Sequence, residues 1–369
     1  MRLQALKEWF STAKAKIVAG ARNKDNIMVF VAVFAALVVM LGVTVTFLLK
    51  PAKYDDVSQN LLTPNDTTDE LRHPLSGRLL DAPLDELPQV YGIMIENSAD
   101  AWPLSGIEDA YLVIEAPVEG GIPRFITFFA DDMEVDKIGP VRSARPYYID
   151  WNDELYGLYA HVGGSPEGLD LIRQFGTLDL NEFFQGEYFW RDTVRRAAPH
   201  NVYTSTDSLA KALIELKPEQ AVYESWLFKV DAPLDVDHLS LEIDWGQGDL
   251  YDVKWAYQPE SNRYLRLQGD DAVVTQDGDS VLANNVVVMA ADITVVDNVG
   301  RRHIVTVGEG DALVVQDGRI ILGRWKKAER TERLRFYDAE GEEIKMNAGQ
   351  TWIEVVPSID RAETVTESL

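Results

Sequence analysis

Between Tyr111 and Ala130 the chain reads YLVIEAPVEGGIPRFITFFA. Two runs rich in β-branched and aromatic residues, Tyr111–Ile114 and Arg124–Ala130, flank Gly120-Gly121, and glycines supply the positive φ that a tight reversal requires. The stretch therefore predicts a β-hairpin. Upstream, Val90–Ile95 is a third run of the same kind. Downstream the pattern changes, because Ser165-Pro166-Glu167 leads into Gly168–Phe175 with a serine at the capping position and a proline at the first helical one. A second helix is predicted after Thr204 through Leu213. Strands and helices together make residues 74–215 an α+β domain.

Beyond a connector at 216–235, residues 236–357 read as a mostly antiparallel β domain. Short runs occur at Tyr251–Tyr257, Tyr264–Leu267, Val286–Val296, Ile304–Val307, Leu313–Gln316, Ile320–Leu322, Leu334–Tyr337 and Trp352–Val356. Asp277-Gly278, Asp317-Gly318 and Glu340-Gly341 punctuate them. Asp-Gly between alternating segments is a strong hairpin signal, since both central residues of a type I′ turn take φ > 0. Residues 358–369 read as a frayed acidic tail.

The N-terminal end decides the expected compartment. Ile27–Leu49 holds 23 residues without a charge, enough at 1.5 Å per residue for a helix to cross a hydrocarbon core of ~30 Å. The preceding tail, 1–26, carries Arg2, Lys7, Lys14, Lys16, Arg22 and Lys24 against Glu8 and Asp25. That imbalance predicts a cytoplasmic N-terminus. A cleaved signal peptide is the competing reading, but its apolar core is shorter and is followed by a small-residue cleavage site, which Lys50-Pro51-Ala52-Lys53-Tyr54 does not provide. Residues 50–73 are polar and acidic, as in a flexible tether. The body that follows the span is expected outside the cell or in the periplasm.

From residue 51 onward there are 28 basic and 58 acidic side chains, a net of −30. Such a surface repels nucleic acid, and no nucleic-acid partner is expected. With no Cys in the chain, disulfides, thiol catalysis and a lipid-modified cysteine drop out together.

Most chemistry-bearing residues fall in 74–215. Ile138–Arg145 places Arg142 and Arg145 three apart in a Gly/Pro-bounded loop, and guanidinium forks grip phosphates and carboxylates in bidentate fashion. The plainer alternative pairs them with local carboxylates such as Glu115 and Glu119. His161-Val162-Gly163-Gly164-Ser165 resembles a strand turning into a helix N-terminus, a place where an anion can meet free N–H groups; the plainer alternative is an ordinary turn with Ser165 as its cap. A G-x-S-x-G elbow fails at its last glycine, and Pro166 removes an oxyanion-hole N–H. Phe189–Asn201 gathers Arg191, His200 and Asn201 near aromatics, a mixture found in sugar and anion sites and in buried polar networks alike. The chain shows no H-E-x-x-H, P-loop or dinucleotide fingerprint, and neither metal nor cofactor is expected.

Pro74-Leu75-Ser76-Gly77, the stretch from Gly92 through Asn97 to Ser105-Gly106, Val118–Phe125, Ile138–Arg145, His161–Ser165, Phe189–Asn201, Asn285–Val288, Gly308-Glu309-Gly310, Asp317-Gly318, Trp325-Lys326 and Gly349–Trp352 look, in that order, like the YerB-like family of predicted bacterial lipoproteins. The chain resembles that family over roughly 74–357. The resemblance implies a bacterial, membrane-tethered envelope protein with a two-domain body and no particular reaction. Lacking Cys, this chain departs from the lipoprotein members and needs its transmembrane helix as anchor.

The leading expectation is an envelope protein that binds an anionic or glycan, wall-related ligand. Its candidate site residues are Asn97, Glu115, Glu119, Arg124, Arg142, Arg145, His161, Gly163, Gly164, Ser165, Arg191, His200 and Asn201. Two alternatives stand beside it. One is a hydrolase or transferase using His161 or His200 with a carboxylate such as Glu115 or Glu119. The other is a scaffold for another envelope protein, marked by an exposed apolar patch.

Overall fold

The computed structural model describes residues 70–218, 220–234, 239–269 and 271–366, all within one compact unit spanning Leu62–Leu369. The run Ile27–Leu49 lies outside the described residues, among which no helix is long and apolar enough to cross a membrane.

A mixed ten-stranded sheet organises the body. Its strands in chain order are β1 (Val90–Ile95), β2 (Leu112–Pro117), β3 (Pro123–Ala130), β4 (Leu158–His161), β5 (Asp179–Asn181), β6 (Asn285–Ala290), β7 (Gly308–Gln316), β8 (Arg319–Lys327), β9 (Arg335–Asp338) and β10 (Thr351–Val356). Across the sheet they follow the order β9-β8-β7-β6-β10-β2-β3-β1-β4-β5. The hairpin expected around Gly120-Gly121 joins β2 to β3 antiparallel, from Leu112↔Phe128 to Pro117↔Pro123, and both glycines take positive φ, +70° and +79°. The Asp317-Gly318 turn between β7 and β8 likewise has both central residues at positive φ, 55° and 68°.

The two halves of the chain share this sheet. β10 lies parallel to β2 in the register Leu112↔Thr351 to Glu115↔Glu354, and parallel to β6 on its other side. Alternate residues serve opposite faces: Ile93, Val113, Phe125, Val286 and Trp352 belong to one core, and Met94, Ile114, Ile126, Val287 and Ile353 to the other. Burial on both faces explains why these strands read as continuous apolar runs.

A second sheet covers the first face. It runs Asp271–Ala272, Arg263–Gln268, Val253–Gln258, Leu239–Ile243, Ala362–Thr366, and contributes Leu241, Trp255 and Tyr264 to the core. Helix α1 (Pro146–Asp153) covers the opposite face through Tyr147, Tyr148 and Trp151, joined by Ile172 of α2 (Pro166–Phe175); α3 (Thr206–Leu216) packs Leu209 and Ala212 on the first face.

Local chemistry fixes the helix starts. Ser165 Oγ accepts from Gly168 N at 3.1 Å, and Ser205 Oγ from Ser208 N at 3.2 Å. Both cap orphan N–H groups. Helix α1 gives no sequence signal because Tyr147, Tyr148, Ile149, Trp151 and Asn152 are all buried, leaving no polar face to set a period. Three segments differ from expectation. The run Val286–Val296 breaks at Ala291-Asp292, so Ile293–Val295 forms a separate hairpin with Arg302–Ile304. Part of the segment read as tail, Ala362–Thr366, is an edge strand against Leu239–Ile243. Within the segment read as tether, Arg72 bridges to Leu79 and His73 is buried.

Candidate functional site

The polar residues collect at one end of the inner strands of the main sheet. β1 is parallel to β4 and antiparallel to β3, and β3 is antiparallel to β2. The carboxyl ends of β1, β2 and β4 therefore meet the amino end of β3, where Arg124 stands.

Beyond the Ile93↔Ala160 pair β1 and β4 separate, and residues 138–145 fill the gap as a strap. Arg142 N donates to Met94 O (2.8 Å), Glu96 N to Pro140 O (3.0 Å), Val162 N to Arg142 O (3.0 Å) and Ala144 N to Gly163 O (3.0 Å). The strap is thus bonded on both sides. It carries Arg142 and Arg145 to Arg124 and runs straight into α1 at Pro146.

Arg124 is 7% exposed and donates to the Ser143 carbonyl at 3.0 Å. Among the described residues it has no carboxylate within ion-pair distance. Burial, and then the like charges of Arg145 and Arg142, push its guanidinium down to about 10. Arg145 is better served, since its Nε and Nη2 grip Glu119 in bidentate fashion at 2.7 and 2.6 Å. Burial opposes ionisation of Glu119, but the Arg145 contacts outweigh it and hold the carboxyl below its ordinary value. Arg142 pairs with Glu96 (3.0 Å), whose same oxygen meets His200 Nδ1 at 2.8 Å. Three guanidinium groups accordingly stand beside two carboxylates, which pair with Arg145 and Arg142 alone, and one of the two also serves a histidine.

The remaining candidates are placed around this cluster. His161 is fully buried, its Nδ1 2.7 Å from Gly163 O and its Nε2 2.7 Å from Asp179 Oδ1. Gly163 has φ +57°, and a Cβ built there would meet the Phe183 ring at 2.7 Å; one on Gly164 would press Leu169 and Ala144. Ser165 caps α2. Arg191 bonds Asn201 Oδ1 (3.1 Å) and Glu182 (2.8 Å), while Asn201 Nδ2 donates to Arg196 O (3.1 Å). Ser98 Oγ and Glu96 both approach the same nitrogen of His200, at 3.4 and 2.8 Å. A proton relay from serine through the ring to the acid needs the two opposite nitrogens.

Asn97 and Glu115 belong to a second, buried cluster. Glu115 accepts from Asn97 Nδ2 (3.0 Å) and from Arg266 (2.8 Å), and the other arm of Arg266 reaches Glu354 Oε1 at 3.0 Å. Trp255 Nε1 donates to that same Glu354 oxygen at 2.9 Å. The guanidinium lies over the rings of Trp352, Trp255 and Phe125 at 4.6, 5.4 and 5.6 Å. So Glu115 faces Arg266 across the layers, not Arg142.

Sequence reading missed Glu96, Asp179, Arg266 and Glu354. Arg266 had a signal: in Tyr264-Leu265-Arg266-Leu267 it shares the inward parity of Tyr264, and an inward arginine demands a buried partner. Glu96 had none, because its role depends on strap residues more than forty positions away.

Family models for the protein of unknown function DUF3048 match here in both parts, the N-terminal domain over residues 76–219 and the C-terminal domain over 241–353. "Putative lipoprotein YerB" of Bacillus subtilis (strain 168) is 31% identical over 306 residues, covering 80% of this chain and 89% of the relative. The chain belongs to the DUF3048 family. A crystal structure of the YerB protein from Bacillus subtilis matches with a TM-score of 0.72 at 27% identity, covering 80% of this chain and 100% of that one. The family's N-terminal match contains the whole arginine strap, and its C-terminal match supplies Arg266.

Proposed function

We propose that this DUF3048 protein is a membrane-anchored envelope protein whose body, outside the cytoplasm, binds an anionic, wall-related ligand at Arg124, Arg142 and Arg145. The observation that carries the reading is Arg124, a buried guanidinium set beside two others without a carboxylate of its own. Burying a charge without a counter-ion is costly. An anion at the strap would relieve that cost and the mutual repulsion at once, and the local excess of arginine stands out in a chain of net charge −25.

Isothermal calorimetry with inorganic pyrophosphate tests the site. The protein is expected to bind, and Arg124→Met to weaken binding by about 10- to 100-fold, the worth of one or two charge-assisted hydrogen bonds. Equal affinity in the two proteins would remove Arg124 from the site. His200, held against Glu96, positions Arg142 through that shared carboxylate.

Two observations support the location: the uncharged run Ile27–Leu49 behind a basic tail, and a relative named as a lipoprotein. Without a cysteine the run itself is the anchor, with the N-terminus inside. A C-terminal alkaline phosphatase fusion is expected to be active and a C-terminal green fluorescent fusion dark; the reverse pattern would put the body in the cytosol.

A further inference from the structure

The arginine strap lies between two exposed apolar lips. On one side the Phe183 ring sits on Gly163, whose carbonyl holds the strap at Ala144. Phe183 is 65% exposed and its chain neighbour Phe184 82%. On the other side the hairpin of Ile293–Val295 and Arg302–Ile304 leans on the Gly120-Gly121 turn next to Glu119. A Cβ on Gly300 would lie 3.4 Å from Gly120 N, and Arg302 Nε reaches Val118 O at 3.4 Å. Its Val295, Val296 and Val299 are 55, 51 and 64% exposed.

Scattered apolar side chains at a surface are ordinary; two groups flanking a buried cation cluster are not. Phenylalanine and valine offer no hydrogen bonds, so what covers them is hydrocarbon in character, while the arginines between them call for a negative group. We infer that the ligand is an anionic amphiphile, a lipid whose phosphate enters the Arg124–Arg142–Arg145 cluster while its apolar part covers the lips. Charge complementarity favours a phosphate, and position favours a lipid. Only 20 residues separate Leu49 from Glu70, the first described residue, which keeps the body within about 70 Å of the bilayer in any conformation of that segment. The inference rests on the anion-site reading above and narrows its ligand.

The full-length protein held in amphipol is titrated by calorimetry with inorganic phosphate, dihexanoyl phosphatidate, dihexanoyl phosphatidylcholine and glucose 1-phosphate, each below its aggregation concentration. Phosphatidate is expected to bind at least tenfold more tightly than phosphate, and phosphatidylcholine and glucose 1-phosphate to show no such gain. Phe184→Ser combined with Val296→Ser is expected to remove the gain, and Arg124→Met to weaken phosphate and phosphatidate together. Phosphate binding without a phosphatidate gain, or an equal gain for glucose 1-phosphate, overturns the lipid while leaving the anion site standing, and a gain that survives the lip substitutions overturns the lips as the surface that covers its apolar part. If no phosphate compound binds, the anion site falls and the lipid with it.

Discussion

Replacing Arg266 by methionine is expected to cost about 3–5 kcal/mol of stability at neutral pH, the range for removing one member of a buried ion pair. Arg266, Glu115 and Glu354 are each 0–1% exposed, and the two arms of the guanidinium hold one carboxylate apiece. Methionine fills most of the volume between Trp352, Trp255 and Phe125, so the loss is chiefly electrostatic: two acids stay buried without a cation. Guanidinium unfolding of the purified protein measures it, and the size distinguishes this from an exposed pair, worth at most about 1 kcal/mol. Two companions separate charge from packing. Arg266→Lys keeps the charge but loses the fork, and is expected to fall between wild type and methionine. Adding Glu354→Gln to Arg266→Met removes one stranded acid and is expected to recover part of the loss. A cost below about 1 kcal/mol for Arg266→Met, or no recovery in the double variant, would mean that the cluster does not join the two sheets as described.

That junction also shows where the sequence was readable. The Gly120-Gly121 and Asp317-Gly318 turns, the cap at Ser165, the helix after Thr204 and most strands could be placed because each depends on residues within a few positions of one another. The union of the two halves depends on Leu112–Glu115 finding Thr351–Glu354 across more than two hundred residues, and nothing local in either strand names the other. The site behaves the same way. Arg142 and Arg145 stand out by their spacing, and Glu119 is among the carboxylates that the sequence offers them as partners. Glu96 and Asp179 look like ordinary surface acids until the strap and the parallel β4–β5 pair bring them to His200 and His161. The structure divides the polar run Phe189–Asn201: His200 joins the strap through Glu96, whereas Arg191 bonds both Asn201 and Glu182.

The acid pair at that junction makes a prediction in pH. Burial, opposed by Arg266 and reinforced by Glu354, raises Glu115 well above an ordinary glutamate. Glu354 Oε1 takes both its donors, from Arg266 and Trp255, while its buried Oε2 receives none. Two carboxyls in contact beside one cation are electrically balanced when they hold one proton between them. The folded state therefore keeps a proton that the unfolded chain releases near pH 4.5, so this pair's contribution is fully present below that value. It is lost as pH rises toward the raised folded value, at up to about 1.4 kcal/mol per pH unit for one proton. Glu354→Gln removes one of the pair's two negative charges without losing a bond: the amide oxygen replaces Oε1 under Arg266 and Trp255, and the amide N–H₂ replaces the orphaned Oε2 and donates to Glu115. The variant is expected to match wild type at pH 4 and to exceed it by roughly 1–3 kcal/mol at pH 7–8, read as the difference between two unfolding curves at each pH. Parallel pH profiles for the two proteins, or a variant weaker than wild type at pH 8, would show that the pair is held as two carboxylates and that Arg266 alone offsets both charges.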